Sequence, residues 1–289
     1  MTFGIYYAYW EKEWKADYTF YCKKAAALGF DVLEIAAGGL LEMSADELAK
    51  LRGEAGKNNI TLTACIGLPA EYDLASDDDA VRKNGLEYMG RIFRAMNTAN
   101  ITKLGGIIYA YWPCDYKRPF NKTRACANSI KSVCIAAKEA AEYNITLMLE
   151  VVNRFEHFLL NTAAEGVAFL EKVNMPNVKL LLDCFHMNIE EDSLGQAIRL
   201  AGKHLGHLHI GECNRKVPGK GHMPWQDVGI ALRDIGFDGS VVMEPFVRMG
   251  GTVGSDIKVW RDISEGADNN KIDTDLEKSL QFIKHVFNQ

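Results

Sequence analysis

Long apolar runs are missing from this chain. No segment reaches eighteen consecutive apolar residues, the length a membrane-spanning helix needs. The start, MTFGIYYAYWEKEW, has neither a basic leader nor a small-residue cleavage site, so a cytoplasmic protein is expected. Basic charge is also scarce: 33 Lys and Arg face 38 Asp and Glu, a formal charge of −5. Such a surface has no global pull on phosphate backbones or anionic lipid, which counts against nucleic-acid and membrane partners. Small neutral ligands fit it better. Seven cysteines (Cys22, Cys65, Cys114, Cys126, Cys134, Cys184, Cys213) form no CxxC pair and are odd in number. That excludes a zinc knuckle and a fully paired disulfide frame, and suits reduced, mostly buried thiols. There is no Walker A sequence and no Gly-x-Ser-x-Gly elbow, and GGTVGS at Gly250 to Ser255 lacks the strand-then-helix setting of a dinucleotide loop. No Pro-rich or Ser-rich linker and no low-complexity tract interrupts the chain, so a single domain over residues 1–289 is expected.

What is present is a repeated sentence. In NVKLLLDCFHMN (Asn177 to Asn188) an apolar run of strand length ends on Asp183, with His186 three residues later. ITLMLE ends on Glu150, HLGHLH on His209 and SVVME on Glu244 in the same way. Four ligand-type side chains, each ending its own strand, would converge if the strands were neighbours in one parallel sheet, because sites gather at the carboxyl ends of such strands.

The scaffold is legible around them. Asn59-Ile60-Thr61, Asn100-Ile101-Thr102 and Asn144-Ile145-Thr146 each follow a helix-like stretch and precede an apolar run. Asn tolerates the left-handed conformation that ends a helix and Ile-Thr starts a strand well, so each triplet reads as a helix-to-strand junction. Asn177-Val178 and Phe237-Asp238-Gly239-Ser240 read as further junctions of that type. Eight strands follow: 3–9, 30–35, 60–66, 103–109, 145–150, 178–183, 204–209 and 240–244, separated by helical segments. Eight alternating units with no glycine fingerprint after the first strand argue for an α/β fold of the (β/α)8 barrel type rather than a doubly wound sheet. The tail from Ile272 has apolar residues at helical spacing (Leu276, Leu280, Phe282, Ile283, Val286, Phe287) and is expected to close the barrel wall.

Glu150, Asp183, His209 and Glu244 fall on strands five to eight of that barrel. Three carboxylates and one imidazole make a hard, mostly oxygen site suited to Mn²⁺, Mg²⁺ or Co²⁺. The bland alternative is four polar strand ends meeting solvent. His207 shares the parity of His209 but stops short of the strand end, which suits a hydrogen-bonded core residue. Around the four lie Asn153, Arg154, Glu156, His186, Glu212, Asn214 and Arg215, all on loops that follow strands and all suited either to a polyhydroxylated ligand or to a salt-bridged rim. Aromatics (Tyr6, Trp10, Trp14, Tyr109, Trp112, Trp225) crowd other strand ends, where they could wall one face of a sugar or simply pack. The Gly-rich loop KVPGKGHMPW could close over a site, with Pro224 starting a helix.

GIYYAYWEKEW, YWPCDY, LEVVNRFE, LLDCFHMNIEED, GHLHIGECNRKVPGKG and MEPFVRMGGTVGSDIKVWRD together resemble the ketose 3-epimerases, over the whole length. The resemblance implies a single xylose-isomerase-like TIM barrel with metal positions at Glu150, Asp183, His209 and Glu244 and one divalent ion, Mn²⁺ or Co²⁺ before Mg²⁺. It implies sugar contacts at Glu156, His186 and Arg215, an aromatic wall at Tyr6 and Trp112, and a homodimer or homotetramer. The implied reaction is C3 epimerisation of free ketohexoses (D-psicose with D-fructose, D-tagatose with D-sorbose) through a cis-enediolate. Glu150 and Glu244 would act as bases on opposite faces, and Glu156 would orient His186 or a sugar hydroxyl. Cys184 stands where threonine is usual, and CIGLPA at Cys65 to Ala70 departs from the family's more glycine-rich loop; both could alter substrate preference. An aldose–ketose isomerase, a metallo-endonuclease and a non-catalytic sugar-binding module are the competing readings. The endonuclease is disfavoured by seven histidines and an acidic surface.

Overall fold

In this computed structural model, which describes residues 1–117 and 119–288, eight strands close into a parallel barrel in chain order. They are β1 (Thr2–Tyr6), β2 (Val32–Ala36), β3 (Thr61–Cys65), β4 (Lys103–Gly106), β5 (Thr146–Val151), β6 (Val178–Asp183), β7 (Leu205–Ile210) and β8 (Ser240–Met243). β1 pairs with both β2 and β8, which closes the ring. All eight predicted strands are there, and two stop early for local reasons. Tyr7–Tyr9 leave β1 as a 3-10 turn, with Trp10 and Glu11 donating to the carbonyls of Tyr7 and Ala8. β4 ends at Gly106, whose φ of +108° breaks the extended run and whose missing Cβ would lie 2.2 Å from the Ile66 carbonyl oxygen.

The Asn-Ile-Thr junctions form as read. Asn59, Asn100 and Asn144 have φ of 54°, 59° and 56°, and the following amides of Ile60, Ile101 and Ile145 donate back to Ala55, Met96 and Ala140. That pattern is the Schellman helix stop, with the buried isoleucine packing under the last turn. Two of the expected junctions differ. Before β6 the left-handed residue is Asn174 (φ 47°), whereas Asn177 uses its side-chain amide to tie down the carbonyls of Ala137 and Ile145. Before β8 it is Gly236 (φ 62°) that turns the chain, and the Phe237 amide donates to Leu232. Helix starts are fixed by side chains as well: Ser44 and Glu47 form a reciprocal capping box, and Asp17, Asn121, Thr162 and Asp268 accept from first-turn amides.

The core lies between strands and helices. Leu33, Ile35, Leu180, Leu182, Leu208 and Val241 are fully buried, each stabilising the fold by roughly 1.5–3 kcal/mol relative to exposure. The last helix, Asn269–Phe287, buries Ile272, Leu276, Leu280, Ile283 and Phe287, and Phe287 meets Phe3 of β1 at 6.5 Å between rings. Phe282 falls off that stripe and is 38% exposed, contrary to expectation, because it lies about 100° round the helix from Ile283. Gln289 lies outside the described residues. All seven cysteines are free; Cys22, Cys65 and Cys184 are buried and the other four only partly, so the thiols are less sequestered than expected. Among the described residues no helix is long and apolar enough to cross a membrane.

One irregularity sets the site. Leu180 pairs with Leu205 but Leu181 with His207, so Gly206 is an extra residue in β7. A Cβ at Gly206 would meet Met148 Sδ at 2.7 Å and Lys179 Cβ at 2.8 Å. Beyond this bulge Asp183 stands beside His209; without it, Asp183 would align with Leu208.

Candidate metal centre

Glu150 and His209 lie within β5 and β7, Asp183 ends β6 and Glu244 follows β8, so the four arrive from consecutive strands. One ligand atom from each falls within 4.8 Å of those of the others. His209 Nδ1 is 3.8 Å from Glu150 Oε1 and 3.5 Å from Glu244 Oε1, and it is a buried nitrogen with no hydrogen-bond partner. Among the described residues nothing uses its lone pair. A buried acceptor facing three carboxylates is costly unless a cation joins them. The donor set is what a divalent cation takes, and these residues fit one.

The electrostatics agree. Burial pushes the Glu150 carboxyl well above its usual range, with Glu244 and Asp183 adding to the shift against His209. Burial also pushes Glu244 up to about 7. For His209, burial alone would lower the pKa, yet Glu34, Glu244 and Glu150 outweigh it and raise it to about 10. The carboxylate cluster therefore attracts positive charge strongly enough to hold a proton where a cation would go.

Of the expected flanking residues, His186 and Arg215 join the cluster. His186 Nε2 is 3.6 Å from Asp183 Oδ2 and 3.8 Å from Glu150 Oε1, and burial depresses its pKa to about 3. Arg215, left-handed at φ 63°, sets Nη1 3.4 Å from Asp183 and 3.3 Å from Glu244 while its guanidinium lies 3.6 Å above the Phe185 ring. The remaining flanking residues do other work. Arg154 forks onto Glu190 at the rim. Asn214 binds within its own loop. Glu212 is fully buried and accepts from Gly219 N, Met223 N and Trp225 Nε1, so it ties the loop from 211 to 224 into one shape.

A xylose isomerase-like TIM barrel family model matches residues 22–277. The chain is 52% identical to the D-psicose 3-epimerase of Ruminiclostridium cellulolyticum, covering 99% of this chain and 98% of that one. It is 51% identical to the D-psicose 3-epimerase of Agrobacterium fabrum, covering 99% of each. A solved structure of D-psicose 3-epimerase with D-tagatose from Clostridium cellulolyticum H10 superposes with a TM-score of 0.98 over 99% of both chains at 52% identity. This chain belongs to the ketose 3-epimerase family. It is an enzyme of the isomerase class.

In this ketose 3-epimerase Glu150 and Glu244, with His186 and Arg215, line a small cavity of about 90 Å³, which adjoins an outer hollow of about 1050 Å³; the two share Tyr6, Trp14, Cys65, Ile66, Gly67 and Trp112. Tyr6, Trp14 and Trp112 thus line the way in. Trp10, Tyr109 and Trp225 are buried instead and hydrogen-bond to Asp273, the Glu150 carbonyl and Glu212. Glu156 accepts from the Trp112 indole at 2.8 Å, and the partner of His186 Nδ1 is Asn153 at 2.7 Å. His186 is thus oriented by Asn153, while Glu156 fixes Trp112. One polar residue at the site escaped the sequence reading altogether. Glu34, in the middle of β2, contacts His209 from below at 2.6 Å. Its only signal was an acid at the parity of Val32 and Ala36 in an otherwise apolar strand.

Proposed function

We propose that this protein interconverts ketohexoses epimeric at C3, with D-psicose and D-fructose as the first pair and D-tagatose and D-sorbose as the second. The observation that carries the reading is the buried convergence of Glu150, Asp183, Glu244 and the unpartnered Nδ1 of His209, in a chain so similar to D-psicose 3-epimerases. Those four residues would hold one divalent cation, Mn²⁺ or Co²⁺ ahead of Mg²⁺. When bound, the cation polarises the ketose carbonyl and so acidifies the proton on C3.

The chain's own groups do the rest. Inversion at a carbon requires a base on one face and an acid on the other. Glu150 and Glu244 come from strands three positions apart in the ring, and each is a carboxyl held above its usual range by burial. On opposite sides of the bound ketose, one glutamate deprotonates C3 and the other reprotonates the enediolate from the opposite face. Reversal of substrate reverses their roles. His186, fixed by Asn153, and Arg215, fixed by its stack on Phe185, donate to the oxygens of C1 to C3. Tyr6 and Trp112 pack against the rest of the sugar, with Glu156 keeping Trp112 in place.

Incubation of the Mn²⁺-loaded protein with D-psicose in D₂O, followed by NMR, tests this directly. D-Fructose carrying deuterium at C3 is the expected product. Label at C1 or C2 with an aldose product would make the protein an aldose–ketose isomerase, and binding without exchange would make it a sugar-binding protein.

A further inference from the structure

Beneath the proposed cation site the barrel holds a second polar group, and the two share one imidazole. Glu34 is 1% exposed, and its Oε1 lies 2.6 Å from His209 Nε2. Its other oxygen accepts from Thr63 Oγ1 at 2.8 Å and stands 3.1 Å from His207 Nε2, off the line of a good hydrogen bond. On the far side of the same ring, His209 Nδ1 faces Glu150 and Glu244. A neutral imidazole has one N–H and one lone pair, and the partner of the N–H decides which nitrogen carries the lone pair. Here the partner is fixed by burial on every side.

We propose that Glu34 is the positioning residue for His209: its carboxylate accepts the Nε2 proton, locks the plane of the ring, and thereby leaves the Nδ1 lone pair pointing at the cation. The inference rests on the reading of Glu150, Asp183, His209 and Glu244 as a divalent-cation site. Glu34, His207 and His209 also stand close enough to suggest a cation site of their own. That would require His209 to give lone pairs from both nitrogens and to lose its ring proton, and the 2.6 Å contact is the length of a hydrogen bond to a carboxylate. A carboxylate is needed rather than an amide, because both of its oxygens accept, one from His209 and the other from Thr63. It also makes the imidazole a stronger ligand.

The test is a Mn²⁺ competition titration of wild type, Glu34→Gln and Thr63→Val, with the melting temperature of each metal-free protein as a control. Loss of such an outer partner costs about 10–100-fold in metal affinity. Glu34→Gln is expected to show that loss with little change in metal-free melting, and Thr63→Val less than about 3-fold, since it leaves the His209 contact in place. Affinity of Glu34→Gln equal to wild type overturns the inference while leaving the cation site standing. Absence of Mn²⁺ binding by wild type overturns the cation site and the inference with it. A second readout needs no variant: in the Co²⁺-loaded wild type the His209 Nε2 proton should appear as a paramagnetically shifted NMR signal protected from solvent exchange. A freely exchanging proton there refutes the role assigned to Glu34, whatever becomes of the variants.

Discussion

The two halves of the barrel divide the labour. β1 to β4 end in Tyr6, Ala36, Cys65 and Gly106, aromatic or small residues, and the loop after β4 adds Trp112. At the ends of β5 to β8 stand Glu150, Asp183, His209 and Glu244. One half shapes the cavity and the other carries charge. The difference has a physical reason: an ionised group buried alone is prohibitively costly, whereas buried ionisable groups that share a proton or a cation compensate one another. Four such residues on adjacent strands are therefore cheaper than four spread round the ring. Glu34 is the exception, an acid of the first half, and it is compensated by the histidines of the second.

If chemistry belongs to the second half, its glutamates should be the most sensitive positions. Glu150→Gln and Glu244→Gln should each lower the epimerisation rate by about 10²–10⁴-fold while the metal-free protein keeps its circular dichroism; near-normal rates in either would sink the two-base scheme. Not every titratable group there is chemical, and His157 sharpens the distinction. It is buried between Tyr109 and Phe158 with Nδ1 accepting from the Leu159 amide, and burial, helped by Lys122, lowers its pKa from 6.5 to about 4. The unfolded chain thus binds this proton more tightly than the folded one. The stability His157 contributes is full above about pH 6.5 and falls by roughly 2–4 kcal/mol as pH drops toward 4. Urea melts across that range should show the loss, and His157→Gln should flatten it without changing the catalytic pH profile.

A third expectation concerns the charged cluster as a whole. Because Glu150 and Glu244 are held protonated at higher pH than usual, and His209 is raised to about 10, a cation must displace protons on entering. Mn²⁺ affinity should fall with falling pH, about tenfold per unit for each proton displaced between pH 8 and 6; a flat titration would contradict the assigned ligands. The smallest effect belongs to the shaping half. Glu156→Ala frees Trp112 from a charge-assisted hydrogen bond, and KM should rise about tenfold with kcat changed only a few-fold. An equal loss in kcat would move Trp112 and Glu156 from shape into chemistry.

Much of this was legible in the sequence because it was local. A strand that ends on an acid, or an Asn-Ile-Thr that stops a helix, is written in six adjacent residues, and those features were found where the reading put them. What escaped was tertiary. Glu34 sits in mid-strand, and only barrel closure brings it under His209, 175 residues away. The Gly206 bulge leaves no mark in HLGHLH beyond one glycine, yet it sets which residue stands beside Asp183. Arg154 and Arg215 look alike on their loops; the first meets Glu190 at the rim, and the second is turned inward by a left-handed backbone.

The helix stops carry a practical consequence. Asn59, Asn100 and Asn144 are exposed, each is followed by Ile-Thr, and all three lie at the amino-terminal ends of their strands, the face opposite the cavity. Each is an N-glycosylation acceptor for a eukaryotic secretory host. Protein exported from such a host would carry glycans on the underside of the barrel at these three positions. Asn121-Lys122-Thr123 is a fourth acceptor, capping the helix after β4 on the cavity side, so Asn121→Gln is needed before immobilisation through the sugars leaves the cavity turned toward the substrate stream.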